Sequence, residues 1–157
     1  MNSNHKPPRL KKNAQETIDS AVALARLVLN EPKLSDTHKK GVLNYVIWKI
    51  TEAKYSKYKL PLRTEAAHAV LRRGGSRGLR HEHVFTRKWL VLKLLKAPRR
   101  AKNLLNEFAI GCVVTKREAA RLDKHHRKQG WKRYRALKLR VIELQHDGAP
   151  APFTFPR

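Results

Sequence analysis

From Ala14 to Asn30 the apolar residues Ile18, Ala21, Val22, Ala25, Val28 and Leu29 recur at steps of three and four. That period buries one face of a helix, and Pro32 marks its end. A second helix is predicted from Ser35-Asp36, with Val42, Tyr45, Val46 and Ile50 on one face, so the two should pack as a hairpin. Thr64 and Glu65 read as the cap and first turn of a short helix through Leu71, stopped by Gly74-Gly75. A strand is expected over 79–85. Thr86 then caps a helix whose apolar side carries Trp89, Leu90, Leu92, Leu94 and Leu95 and which Pro98 breaks, and another helix runs from about Arg99 to Phe108. Ile110-Gly111-Cys112-Val113-Val114 has strand character. Thr115-Lys116-Arg117-Glu118 spells a capping box, opening a helix that ends near Gly130. Trp131-Lys132-Arg133-Tyr134 connects it to a last strand over 137–144. The pattern predicts an α+β chain, a mostly helical single domain over 14–146 with a small two- or three-stranded β element. A disordered basic arm (1–13) precedes it, and a loose Pro-rich tail (147–157) follows.

Composition narrows the class. A chain of 157 residues can bury about 70% of its unfolded surface in one core, and 41% hydrophobic residues set it apart from a disordered polycation. Lys and Arg number 36 against 12 Asp and Glu, a formal charge of +24. Such an excess raises a positive potential over much of the surface and favours a polyanionic partner, DNA or RNA. No apolar run reaches bilayer length, so no membrane is expected. The polar N-terminus lacks the apolar core of a secretory signal, and the expected location is cytoplasmic. Cys112 stands alone, which excludes an internal disulfide and a cysteine-rich zinc module.

The densest chemistry is His81-Glu82-His83, entered through Gly74-Gly75-Ser76-Arg77-Gly78. That glycine-rich stretch lacks the Lys-Ser/Thr of a nucleotide-binding loop and reads as a hinge or a phosphate contact. Hydrolysis of a phosphodiester at a metal needs a base, hard ligands and cations for the transition state, and candidates for all three lie between residues 79 and 126. Glu82-His83-Val84 at the end of a short strand, followed later by a second strand and a helix, resembles the ββα-metal core of HNH, or His-Me finger, endonucleases. The resemblance implies a DNA-acting endonuclease with Mg²⁺ or Mn²⁺ as cofactor, His83 as general base with His81 beside it, and Glu82 and Glu118 as metal ligands, with His125 or His126 as substitutes for Glu118. The proline common after the histidine, the middle asparagine and bracing cysteine pairs are missing, and two helices interrupt the hairpin.

Each of these residues has a second reading. Glu118 is also the reciprocal partner of Thr115 in the capping box. His125 and His126 near a helix end can be solvated or touch phosphate. In a regular strand His81 and His83 share a face while Glu82 points the other way and pairs with an arginine. Tyr55 and Tyr58 among lysines can stack on bases or anchor a loop to the core. The rival function is a DNA- or RNA-binding protein, or a ribonucleoprotein component, that cuts nothing. Arg72, Arg73, Arg77, Arg80, Arg87, Lys88, Arg117, Arg121, Lys124 and Arg133 are the phosphate contacts expected under either function.

Overall fold

The computed structural model describes residues 10–156. Most of the expected basic arm therefore lies outside the described residues. In chain order the elements are α1 (Ala14–Asn30), α2 (Asp36–Ala53), β1 (Leu62–Thr64), α3 (Glu65–Arg72), β2 (Leu79–His83), α4 (Arg87–Lys96), a 3-10 turn (Pro98–Arg100), α5 (Ala101–Phe108), β3 (Gly111–Thr115), α6 (Lys116–Lys124), α7 (Trp131–Ala136), β4 (Val141–Leu144) and β5 (Pro150–Pro152). The α+β class holds, with a five-stranded sheet in place of the expected two- or three-stranded element. The described residues gather into two compact units, one formed by 11–54 and 83–110, the other by 55–82 and 111–156.

The first unit is helical. Thr86 caps α4 as expected, accepting from the Trp89 amide, and Ser35, where the second helix was expected to start, caps α2 by accepting from that of His38. Ala21 and Ala25 of α1 are small enough to let α2 approach, and Leu43, Val46 and Ile47 fill that seam with Leu90, Leu94 and Leu105. Phe85, Trp89 and Phe108 pack ring against ring, with centroids 4.9 to 5.3 Å apart. The buried face of α2 is rotated from the expected one, since Leu43 and Ile47 are inside while Tyr45 is 50% exposed. Leu92, expected in the α4 core, also faces outward. Lys11 ties the start of this unit down, its amide bonding the Lys54 carbonyl at 3.0 Å and its ammonium the Glu52 carbonyl at 2.9 Å.

The second unit is built on a five-stranded sheet in the order β2-β3-β1-β4-β5. β1 runs parallel to β3 through Arg63 and Val113 and antiparallel to β4, where Thr64 faces Val141. Lys116 N–H bonds the Gly78 carbonyl, and Val84 N–H bonds that of Ile110. The residue numbers of the two pairs have the same sum, as antiparallel neighbours require, so β2 and β3 run in opposite directions. Leu60, Ala67, Leu79 and Val113 form the core on which Tyr55 and Tyr58 pack, and the Tyr58 hydroxyl donates to the Leu79 carbonyl. These tyrosines anchor a loop.

The tail departs from expectation. Pro150 and Pro152 have no N–H to donate, which suits only an edge position, and β5 is that edge, pairing with β4. Beyond it Phe153 and Phe155 pack on Trp131 at 4.8 and 5.3 Å, and Arg135 donates to the Pro156 carbonyl. Trp131 belongs to a short helix rather than a connector, and the strand expected over 137–144 begins at Val141.

Candidate functional site

Glu82 is buried on β2 while Arg80, two residues away and on the same face of the strand, remains exposed, and His81 and His83 are half-buried. The His81 ring lies along the neighbouring strand, where a Cβ on Gly111 would sit 2.5 Å from its Nε2 and 2.9 Å from Leu60 Cδ1. Only a residue without a side chain lets the imidazole pack so close to the backbone. His83 closes β2.

Glu82 meets Arg133 of α7, whose Nη2 donates to its Oε1 at 3.2 Å, with the Arg133 side chain only 1% exposed. Arg80 lies 3.9 Å from the other carboxylate oxygen and 3.6 Å from Asp123 of α6. Burial pushes the Glu82 carboxyl above its ordinary range, against the pull of Arg133, and nearby Asp123 adds to the rise. Around this pair lie further buried polar groups. Burial holds the Cys112 thiol and the Tyr134 phenol protonated, and it lowers the affinity of the Arg63 guanidinium for its proton. Arg63 Nη2 donates to the Leu60 carbonyl at 2.6 Å.

Glu118 is a second buried acid with its own set of donors. Oε2 accepts from the Thr115 amide at 2.8 Å, the Thr115 hydroxyl at 3.0 Å and the Thr64 hydroxyl at 2.7 Å. The capping box forms as expected, and Thr64 extends it: its hydroxyl donates to Glu118 while accepting from the Ala67 amide to cap α3. One carboxylate thus joins the starts of two helices. The Thr64 link joins residues 54 apart and was not visible in local sequence.

The expected ligands Glu82 and Glu118 therefore serve different partners. One faces guanidinium groups, the other hydroxyls and an amide. A cation competing for Glu82 would have to displace Arg133 and leave a guanidinium buried without its counter-charge, so this donor set does not fit a divalent ion. Among the described residues no three His, Cys, Asp or Glu side chains form a metal-holding group. His125 is half-buried just past the end of α6, and the exposed His126 ring contacts the Asp123 carbonyl.

Of the ten cations expected to touch phosphate, Arg72, Arg73, Arg77, Arg80, Arg87, Lys88, Arg117, Arg121 and Lys124 are exposed. Arg133 is the correction, because a buried guanidinium that neutralises Glu82 has no face left for a phosphate. Its neighbours gave the signal: Trp131 and Tyr134 flank it in sequence, an apolar setting for a charge that then needs an internal acid. No helix among the described residues is long and apolar enough to cross a membrane. No family model, curated protein or solved structure matches this chain.

Proposed function

We propose that the protein binds nucleic acid through its exposed arginines and lysines, with the Glu82–Arg133 pair and the Glu118 cap as scaffold rather than as a cutting site. The observation carrying this reading is the fate of the charges. Nine of the ten candidate cations stay at the surface, while the two acids that would hold a metal are engaged by an internal arginine and by helix-start donors. A surface with this excess of cations over acids attracts phosphates and releases their counterions, which makes affinity fall with salt. The test is fluorescence anisotropy on labelled DNA and RNA from 50 to 200 mM salt. If six to ten phosphates are contacted, affinity falls by about 10³ to 10⁵ over that range. Binding that ignores salt would overturn the reading.

A second reading keeps the endonuclease. It is favoured by the order β2, β3, α6, with His83 closing the first strand as in the ββα core that the sequence resembles. It expects Mg²⁺- or Mn²⁺-dependent nicking of DNA that His83→Ala abolishes while leaving binding intact.

A further inference from the structure

Tyr45 and Trp48 of α2 are large aromatic side chains that the helical core does not use, being 50% and 40% exposed. They stand three residues apart, one turn of helix, so they rise from adjacent positions on its surface. Lys49 joins them. Its Nζ lies 5.3 Å from the Tyr45 ring centre and 5.5 Å from that of Trp48, a cation held over two π-faces. Beside this platform α1 and α2 border a groove of about 350 Å³, lined by Tyr45 and Lys49 on one side and by Glu16, Thr17 and Ser20 on the other.

From this geometry we infer that the α1/α2 groove takes an unpaired base of a single-stranded nucleic acid, which deepens the function proposed above and rests on it. Aromatic side chains with a cation beside them are how sequence-tolerant single-strand sites hold bases, because every base offers a π-face, and a base stacking here moves the Lys49 ammonium from the ring faces to their rim. The groove reaches the size of small-ligand pockets, whose lower bound is about 300 Å³. Its polarity sets the orientation. Glu16 would repel a phosphate but accepts hydrogen bonds from the exocyclic amino groups on base edges, while Lys49 at the rim suits the backbone. Bases in a duplex keep their faces stacked and their edges paired, so the groove selects unpaired strands. A second copy of the chain is the competing occupant of an apolar platform, and the charge of +24 on each copy opposes it.

The test uses the full chain and three labelled DNA probes of about twelve nucleotides, the span of a single-strand site: a mixed-sequence single strand, its duplex, and the same strand with abasic sugars. Tyr45→Leu combined with Trp48→Leu weakens binding to the intact single strand about 5- to 150-fold, the loss expected for one stacked base. Duplex and abasic binding should remain within about twofold of wild type, since phosphate contacts dominate both. Both side chains are surface ones, and unchanged thermal melting confirms that the variant folds. Equal weakening on all three probes, or none on the single strand, overturns the base-stacking site and leaves the nucleic-acid reading standing. A dimer in sedimentation that the double variant abolishes also overturns it, in favour of self-association. If the wild type binds none of the probes, the function proposed above fails with it.

Discussion

Replacing Arg133 with Met removes the guanidinium but keeps much of its length, so the main change is that the Glu82 carboxylate loses its internal partner. At 3.2 Å and an effective dielectric of about 20, the direct attraction is on the order of 5 kcal/mol. Desolvating both groups offsets much of this, which is why a buried pair is costly to break yet nearly neutral to replace. Arg133→Met should therefore lose about 3 to 5 kcal/mol, whereas Glu82→Leu with Arg133→Met should recover most of the loss. Arg80→Ala, which removes an exposed partner at 3.9 Å, should cost under about 1 kcal/mol. The assay is urea unfolding followed by circular dichroism at pH 7.5 and pH 5. The sign of the pH effect follows from Glu82. Its folded pKa is raised above the ordinary 4.5, so the stability it contributes is full below that value and is lost as pH climbs through the raised folded value. Without Arg133 the carboxyl is raised further, and acid neutralises the stranded charge. The penalty of Arg133→Met should accordingly shrink from pH 7.5 to pH 5. An equal penalty at both values, or no recovery in the double variant, would refute the account of this pair.

Gly111→Ala places a Cβ 2.5 Å from His81 Nε2, and the overpacking should cost about 1 to 3 kcal/mol. His81→Ala in the same chain should relieve most of it, so additive losses in a double-mutant cycle would count against the contact. Thr64→Val removes both the donor to Glu118 and the cap of α3 and should lose about 2 to 4 kcal/mol. Thr64→Ser keeps the hydroxyl and should lose far less in the same melts, and equal losses would refute the double role. Phe155→Ala strips a ring from Trp131 and should lower stability by about 1 to 3 kcal/mol, with Trp131 emission moving to the red in a chain whose other tryptophans are replaced by Phe. Unchanged emission would contradict the docking of the tail.

Features that depend on near neighbours were legible in the sequence. The span of α1, the caps Ser35, Thr64 and Thr86, and the box of Thr115 and Glu118 all follow from residues within one or two turns of each other. For Glu82 the sequence left two readings, a metal ligand or, in a regular strand, the partner of an arginine, and the structure pairs it with Arg133. Which arginine was not legible, because Arg133 lies 51 residues on and pairing at that separation leaves no local pattern. β1 was hidden for a different reason. Three residues give no periodicity, and Leu62–Thr64 becomes a strand only because β3 and β4 flank it. The prolines of β5 pointed toward loose chain, and a sheet edge supplies the one setting in which a missing N–H costs nothing. Tyr45 was misplaced because its apolar ring satisfies the helical period as well as Leu43 or Ile47 does. Only the packing of α1 against α2 decides which stripe goes inside.

The most direct test of a surface that grips without cutting is to incubate purified wild-type protein with labelled single-stranded DNA, duplex DNA and RNA, with Mg²⁺ or Mn²⁺, reading anisotropy and gel mobility on the same samples. Salt-sensitive binding with every probe left at full length is the predicted result. Metal-dependent fragments that vanish with His83→Ala, while the anisotropy signal stays, would contradict the account and establish the endonuclease.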